Sequence, residues 1–172
     1  MEEVKGQKCP VCGKNELSLY EDETDIPYFG QTFIFGMKCM SCGFSKSDVE
    51  SAEQKDPVRI TFEVNSEKDM NVRVVKSSNA SIKIAQLKMI MESGESSDGF
   101  ISNIEGLLNK FESILIEQRD NSDDDEIRKK AKNLLKKIWK VKLGEFPLKI
   151  VIEDKTGNSA IISEKTKIEK LK

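Results

Sequence analysis

The 172-residue sequence predicts an α+β protein in two parts, a small metal-held ribbon and then a β-sheet domain interrupted by an α-helical hairpin. Three observations carry this prediction. All four cysteines fall in two Cys-x-x-Cys pairs within the first 42 residues, apolar and polar residues alternate from Val58 to Val64, and two later stretches repeat their apolar residues at helical spacing. With 37% hydrophobic and 34% charged residues, the chain can bury one real core, or one core plus a metal-stabilised module.

The cysteine pairs are Cys9-Pro10-Val11-Cys12-Gly13 and Cys39-Met40-Ser41-Cys42-Gly43, with 26 residues between Cys12 and Cys39. Two thiolates three positions apart grip one ion from a single tight turn, and two such turns complete a tetrahedral site. Cys9, Cys12, Cys39 and Cys42 are therefore expected to hold one zinc ion. Four protein ligands leave no position for a substrate water, so its role is structural. Two disulfides in a secreted scaffold are the competing reading. The lack of an export signal and the 130 cysteine-free residues after Cys42 disfavour it. Between the knuckles, residues 17–20 and 33–37 read as strands joined by Asp25-Ile26-Pro27-Tyr28-Phe29-Gly30, which makes a zinc ribbon over residues 1–52. Tyr28 and Phe29 beside Pro27 are either ribbon core or an exposed apolar tip for a protein partner.

The second part, residues 53–172, begins after a polar linker. Val58, Ile60, Phe62 and Val64 alternate with Arg59, Thr61 and Glu63, the period of a sheet with one wet face. Further strands are expected at 72–75, 82–84 and 87–91, with turns near 66–69 and 77–79, a spacing that suggests a barrel or jelly-roll sandwich. A polar loop at 93–99 breaks the sheet. Then Ile104, Leu107, Leu108, Phe111, Ile114 and Leu115 recur at helical spacing, and Ile127, Ala131, Leu134, Leu135 and Ile138 repeat the pattern, predicting a helical hairpin over about residues 102–142. Ser122 is expected to cap the second helix, with Asp123, Asp124 and Asp125 meeting the positive end of its dipole. The same acidic run is not a calcium loop, since its sixth position is Asp125 instead of glycine and its twelfth is Ala131 instead of glutamate. The chain returns to strand around residues 148–152 and 160–162, with a turn at Thr156-Gly157-Asn158.

Composition limits the function. With no histidine, catalytic triads and His-based zinc sites are impossible, and there is no Gly-x-Gly-x-x-Gly or phosphate loop, so the protein is expected not to be an enzyme and to have no small-molecule substrate. No apolar run approaches the roughly 20 residues that span a bilayer, and the first residues lack the apolar stretch of a signal peptide, so a cytoplasmic protein with no membrane partner is expected. The net charge of -2 hides a gradient: 6 Lys+Arg against 11 Asp+Glu in residues 1–56, 8 against 13 in 57–125, and 14 against 6 in 126–172. The acidic ribbon, with four thiolates around zinc adding about -2, repels phosphate. The C-terminal lysines read as solvating a helix face, with Trp139 as the sole support for stacking, so nucleic acid is not the expected partner.

In order along the chain stand the two knuckles, Ile26-Pro27-Tyr28-Phe29, Asp69-Met70-Asn71-Val72-Arg73-Val74-Val75-Lys76-Ser77, Ile104-Glu105-Gly106-Leu107-Leu108 and Asp154-Lys155-Thr156-Gly157-Asn158-Ser159. Together they resemble the ZPR-type zinc-finger proteins over nearly the whole chain. Eukaryotic members carry the finger-plus-domain module twice; this chain has room for one copy, as in archaeal relatives. The resemblance implies a ribbon followed by a double-stranded β-helix, a jelly-roll-like fold, with an inserted helical hairpin. It also implies binding to translation elongation factor 1-alpha, for which eukaryotic relatives act as a folding chaperone. Tyr28, Phe29, Arg73, Lys76, Asp154, Asn158 and Ser159 are the candidate partner contacts. Each has a purely structural alternative: Gly157-Asn158 as a turn, Asp154 as its support, Arg73 paired with a neighbouring strand's carboxylate. The functional alternatives are an RNA-binding zinc ribbon and a small-molecule-binding jelly roll.

Overall fold

The computed structural model describes residues 1–94 and 96–171; Glu95 of the expected 93–99 loop and Lys172 lie outside the described residues. Strands β1 (Glu2–Gln7), β2 (Leu17–Ile26), β3 (Gly30–Cys39) and β4 (Ser45–Ser51) form one antiparallel sheet in chain order. β2 and β3 pair without interruption from Leu17↔Cys39 to Ile26↔Gly30, a hairpin of about 30 Å at about 3.4 Å per residue. These strands run past their apolar stretches because Glu21, Glu23 and Asp25 point to solvent while their neighbours lie half-buried. β1 and β4 carry little apolar signal. β1 is exposed throughout, and β4 buries only Val49.

The remainder builds two facing sheets. The five-stranded one runs β12–β5–β10–β7–β8, with β5 (Val58–Val64), β7 (Ala80–Ile84), β8 (Met89–Met91), β10 (Leu148–Asp154) and β12 (Lys167–Lys170). The three-stranded one runs β11–β6–β9, with β6 (Arg73–Lys76), β9 (Phe100–Asn103) and β11 (Ala160–Ile162). Between them Ile60, Phe62, Val64, Val74, Ile82, Ile84, Ile150 and Ile152 form the core, as the alternation over β5 requires. Leu87, expected in a strand, sits instead in a turn of 3-10 helix (Ala85–Leu87) and is fully buried, because Lys88 adopts a left-handed backbone that postpones the strand to Met89.

Helices α1 (Ile104–Asn121) and α2 (Asp125–Lys142) are the inserted hairpin, and Leu107, Leu108, Phe111, Leu115, Ala131, Ile138 and Val141 drive its apolar stripe into the same core. Asn103 caps α1 through a 2.7 Å bond from the Gly106 amide. The cap of α2 is Asp124, not Ser122. Asp124 Oδ1 accepts from the amides of Glu126 (2.7 Å) and Ile127 (3.4 Å), whereas Ser122 closes α1 and its hydroxyl accepts from the Asp124 amide. Both side chains can cap, and the carboxylate adds its charge to the helix dipole.

Candidate functional site

The two knuckles have one geometry. In each, the first cysteine's amide donates to a carbonyl five residues on (Cys9 to Lys14 and Cys39 to Phe44, both 2.8 Å), and the glycine amide returns to the first cysteine's carbonyl at 3.0 Å. Gly13 and Gly43 hold φ near +72° and +75°, the left-handed backbone that a side chain resists and that each turn needs to fold over a central ion. All four sulfurs lie within 4.8 Å of one another, with Cys9–Cys42 and Cys12–Cys39 at 3.7 Å. Disulfide bonds, at about 2.05 Å, are excluded. A tetrahedron of sulfurs about 2.3 Å from its centre has edges of about 3.8 Å, so the arrangement fits one zinc ion closed on all sides. The thiols fit it chemically as well. The Cys12 amide, opposed by burial and helped by the Val11 amide, pulls Cys9 down to about 6. The Phe44 amide favours the Cys42 thiolate, but burial and the surrounding sulfurs push Cys42 up to about 12. Crowded thiolates ionise together only when a cation sits among them.

At the opposite end of the β2–β3 hairpin, Ile26-Pro27-Tyr28-Phe29 make the turn, and the two aromatic residues separate. Phe29 packs against Ile26, Val49 and Val75, accepts a hydrogen bond from Lys55 Nζ at its carbonyl (2.6 Å), and carries that ammonium 3.3 Å above its ring. Burial lowers the Lys55 pKa. Tyr28 is fully exposed at 100% and holds φ +66°. Beside it opens a groove of about 790 Å³ lined by Tyr28, Phe29, Val58, Ile60, Ile161 and Ile168. The groove is the open seam of the jelly roll, since β11 and β12 are terminal strands of their sheets.

The candidate contacts from β6 and the 154–159 turn go elsewhere. Lys76, Asp154 and Ser159 are buried, which removes them from the surface. The Lys76 ammonium donates to the Ser77 carbonyl (3.0 Å), Ser97 Oγ (2.8 Å) and the Asp98 carbonyl (3.1 Å); burial lowers its pKa while Asp48, Asp154 and Asp98 pull it back. Asp154 accepts from the hydroxyls of Ser77 (2.8 Å), Ser159 (2.6 Å) and Thr156 (2.7 Å) and from the Thr156 amide (2.8 Å). Half-buried Asn158 accepts from the Ser51 amide (3.2 Å), tying the 154–159 turn to the end of β4. Asp48 on β4 accepts from the Ser78 amide (2.8 Å) and hydroxyl. This polar seam docks the ribbon onto the jelly roll, and Asp48 and Lys55 were its members with no sequence signal, each a charged residue among many. Arg73 alone of the β6 and turn candidates is exposed, with no ion pair among the described residues. The cross-strand partner of a carboxylate is Arg59, which with Lys83 holds Glu153.

Residues 3–57 match the ZPR1 zinc-finger domain and residues 68–172 the ZPR1 jelly-roll domain. The chain belongs to the ZPR1 family. It is 39% identical to an uncharacterised ZPR1-like protein of Methanocaldococcus jannaschii, covering 95% of this chain and 83% of that protein. An uncharacterised ZPR1-like protein of Pyrococcus horikoshii is 38% identical over 99% of this chain and 78% of its own length. The zinc finger chaperone of Schizosaccharomyces pombe is 30% identical, and the match spans 89% of this chain but 33% of that larger protein. Among the described residues this ZPR1 chain carries one zinc-finger module with its four-cysteine site, followed by one jelly roll. No helix among the described residues is long and apolar enough to cross a membrane.

Proposed function

We propose that this protein binds translation elongation factor 1-alpha and assists its folding, as a cytoplasmic, non-enzymatic zinc-ribbon chaperone with Tyr28 at the centre of the contact. The observation that carries the contact is Tyr28 itself. A tyrosine that buries nothing and sits in a left-handed backbone costs on the order of 1–2 kcal/mol relative to glycine there, and strain of this kind gathers where a surface is held ready for use. The apolar groove beside it offers a partner side chain a place to desolvate. The family, whose fission-yeast member is named a chaperone, supports the class of activity, and Arg73 is a candidate second contact. Binding of purified elongation factor from the same source, in both nucleotide states, tests the reading. Tyr28→Gly should weaken the complex by about 30-fold, the loss of one interface anchor, while leaving the fold as stable or more stable by about 1 kcal/mol. Equal affinity for both proteins moves the contact off the tip, and no affinity in either state removes the partner.

A further inference from the structure

Helix α2 carries Arg128, Lys129, Lys130, Lys132, Lys136, Lys137, Lys140 and Lys142, and no carboxylate occurs between Ile127 and Gly144. A helix whose charges serve only to keep it wet pairs glutamate with lysine four residues on; here Lys132–Lys136 and Lys136–Lys140 are like-charge pairs at that spacing and oppose the helix they sit on. At 100° per residue, Lys129, Lys132, Lys136 and Lys140 fall within about 80° of one another, opposite the buried stripe of Ala131, Ile138 and Val141. They form a line about 17 Å long, with lysines about 5–6 Å apart. All four are exposed and in no ion pair among the described residues. The nearest acids at the hairpin turn are engaged, Asp120 by Arg119 and Asp125 by Arg128, although both still feel Lys132. Beside the line lies Trp139, the only tryptophan of the chain, which helical spacing places off the buried stripe and leaves 59% exposed.

We infer that this face of α2 is a binding surface for single-stranded RNA, with the lysine line on the phosphates and Trp139 stacking an unpaired base. A flexible polyanion suits it better than an acidic protein surface. Lysines are depleted at protein interfaces, and a row of cations without arginine forks or base-reading amides recognises phosphate charge and not sequence. The acidic ribbon, the ground for setting nucleic acid aside from the sequence, belongs to a different sheet, and the hairpin presents its lysines independently of it. This inference stands apart from the elongation-factor reading.

Because Trp139 is the single tryptophan of the sequence, its fluorescence reports on the site directly in the zinc-loaded 172-residue chain. Titration with a 12-nucleotide oligouridylate should quench it, with an affinity that falls about 50-fold between 50 and 200 mM salt, the slope for four phosphates on a single strand. Lys132→Gln/Lys136→Gln/Lys140→Gln should leave the circular dichroism unchanged, since the three side chains are exposed, and should flatten the salt slope to about a quarter. Absence of quenching at 50 mM salt overturns the inference. So does quenching that the triple variant retains in full, or an equal affinity for oligoglutamate of the same charge or for anionic lipid vesicles, which would make the face a protein or membrane surface.

Discussion

The ribbon and the jelly roll are held by different forces. Around the knuckles the buried residues are Cys9, Leu17 and Cys39, so one leucine is all the apolar side chain that end of the ribbon buries completely. The jelly roll and its hairpin share a core of 21 buried residues, enough to hold a fold without help. One buried leucine stabilises by about 1.5–3 kcal/mol, while ordering each residue costs about 1–2 kcal/mol, so at the knuckles the metal has to supply what burial lacks. The difference teaches that one chain can use two stabilising strategies as long as a seam joins them, and Val49 with Ile26 against Val75 is that seam's apolar part.

The comparison breaks most sharply when the metal goes. Zinc removal by chelator, or Cys39→Ser, should erase amide-exchange protection in β1 and the knuckle halves of β2 and β3, a loss on the scale of the roughly 10–16 kcal/mol that structural zinc contributes to small modules. Protection in β5 and β10 should persist; their collapse together with the knuckles would show one cooperative unit instead of two. A smaller effect sharpens the other half: Phe62→Ala, at a position 1% exposed, should cost about 3–5 kcal/mol in urea unfolding of the jelly roll yet leave one zinc bound per chain.

Acid provides the mildest contrast. Hydrogen bonds from Lys83 and Arg59 hold Glu153 below the usual carboxylate range, and at Asp69 burial pushes the pKa up but Lys165, the Asn65 amide and the Ser66 side chain outweigh it. Depressed carboxylates contribute stability that is complete above their unfolded values of about 4 and disappears as pH falls through the folded ones. The urea midpoint of the jelly roll should therefore hold from pH 7 to 5 and fall below pH 4, and Lys165→Met, which removes a group that depresses Asp69, should lower the midpoint at neutral pH and make the fall in acid smaller.

Much of this architecture is legible in the residues, and what is not has physical reasons. Alternation over β5, helical periods in α1 and α2 and the spacing of the knuckles each follow from one-sided burial or one ion. β1, β4 and β12 have no such signature: Lys167-Ile168-Glu169-Lys170 is exposed along its length and becomes a strand only because β5 offers it a ladder. The zinc ligands were readable because their chemistry is local. Lys76 was not, since a lysine in a sequence gives no sign that three oxygens from Ser77, Ser97 and Asp98 will enclose it. Tyr28 and Phe29 looked equivalent, and only the turn's handedness at Tyr28 sends one ring outward and the other in.

The unbroken ladder between β2 and β3 makes the ribbon a lever, with the ion at one end and the tyrosine at the other. Across about 30 Å, several screening lengths in physiological salt, the charge of the metal cluster is not felt at the tip. Communication between the two ends is mechanical. Damage to the knuckles must unzip the rungs one after another before Ile26 and Gly30 part, while Phe29 and Lys55 clamp the far end to the rest of the molecule. The tip can thus keep its shape through a fraying that has already released the metal.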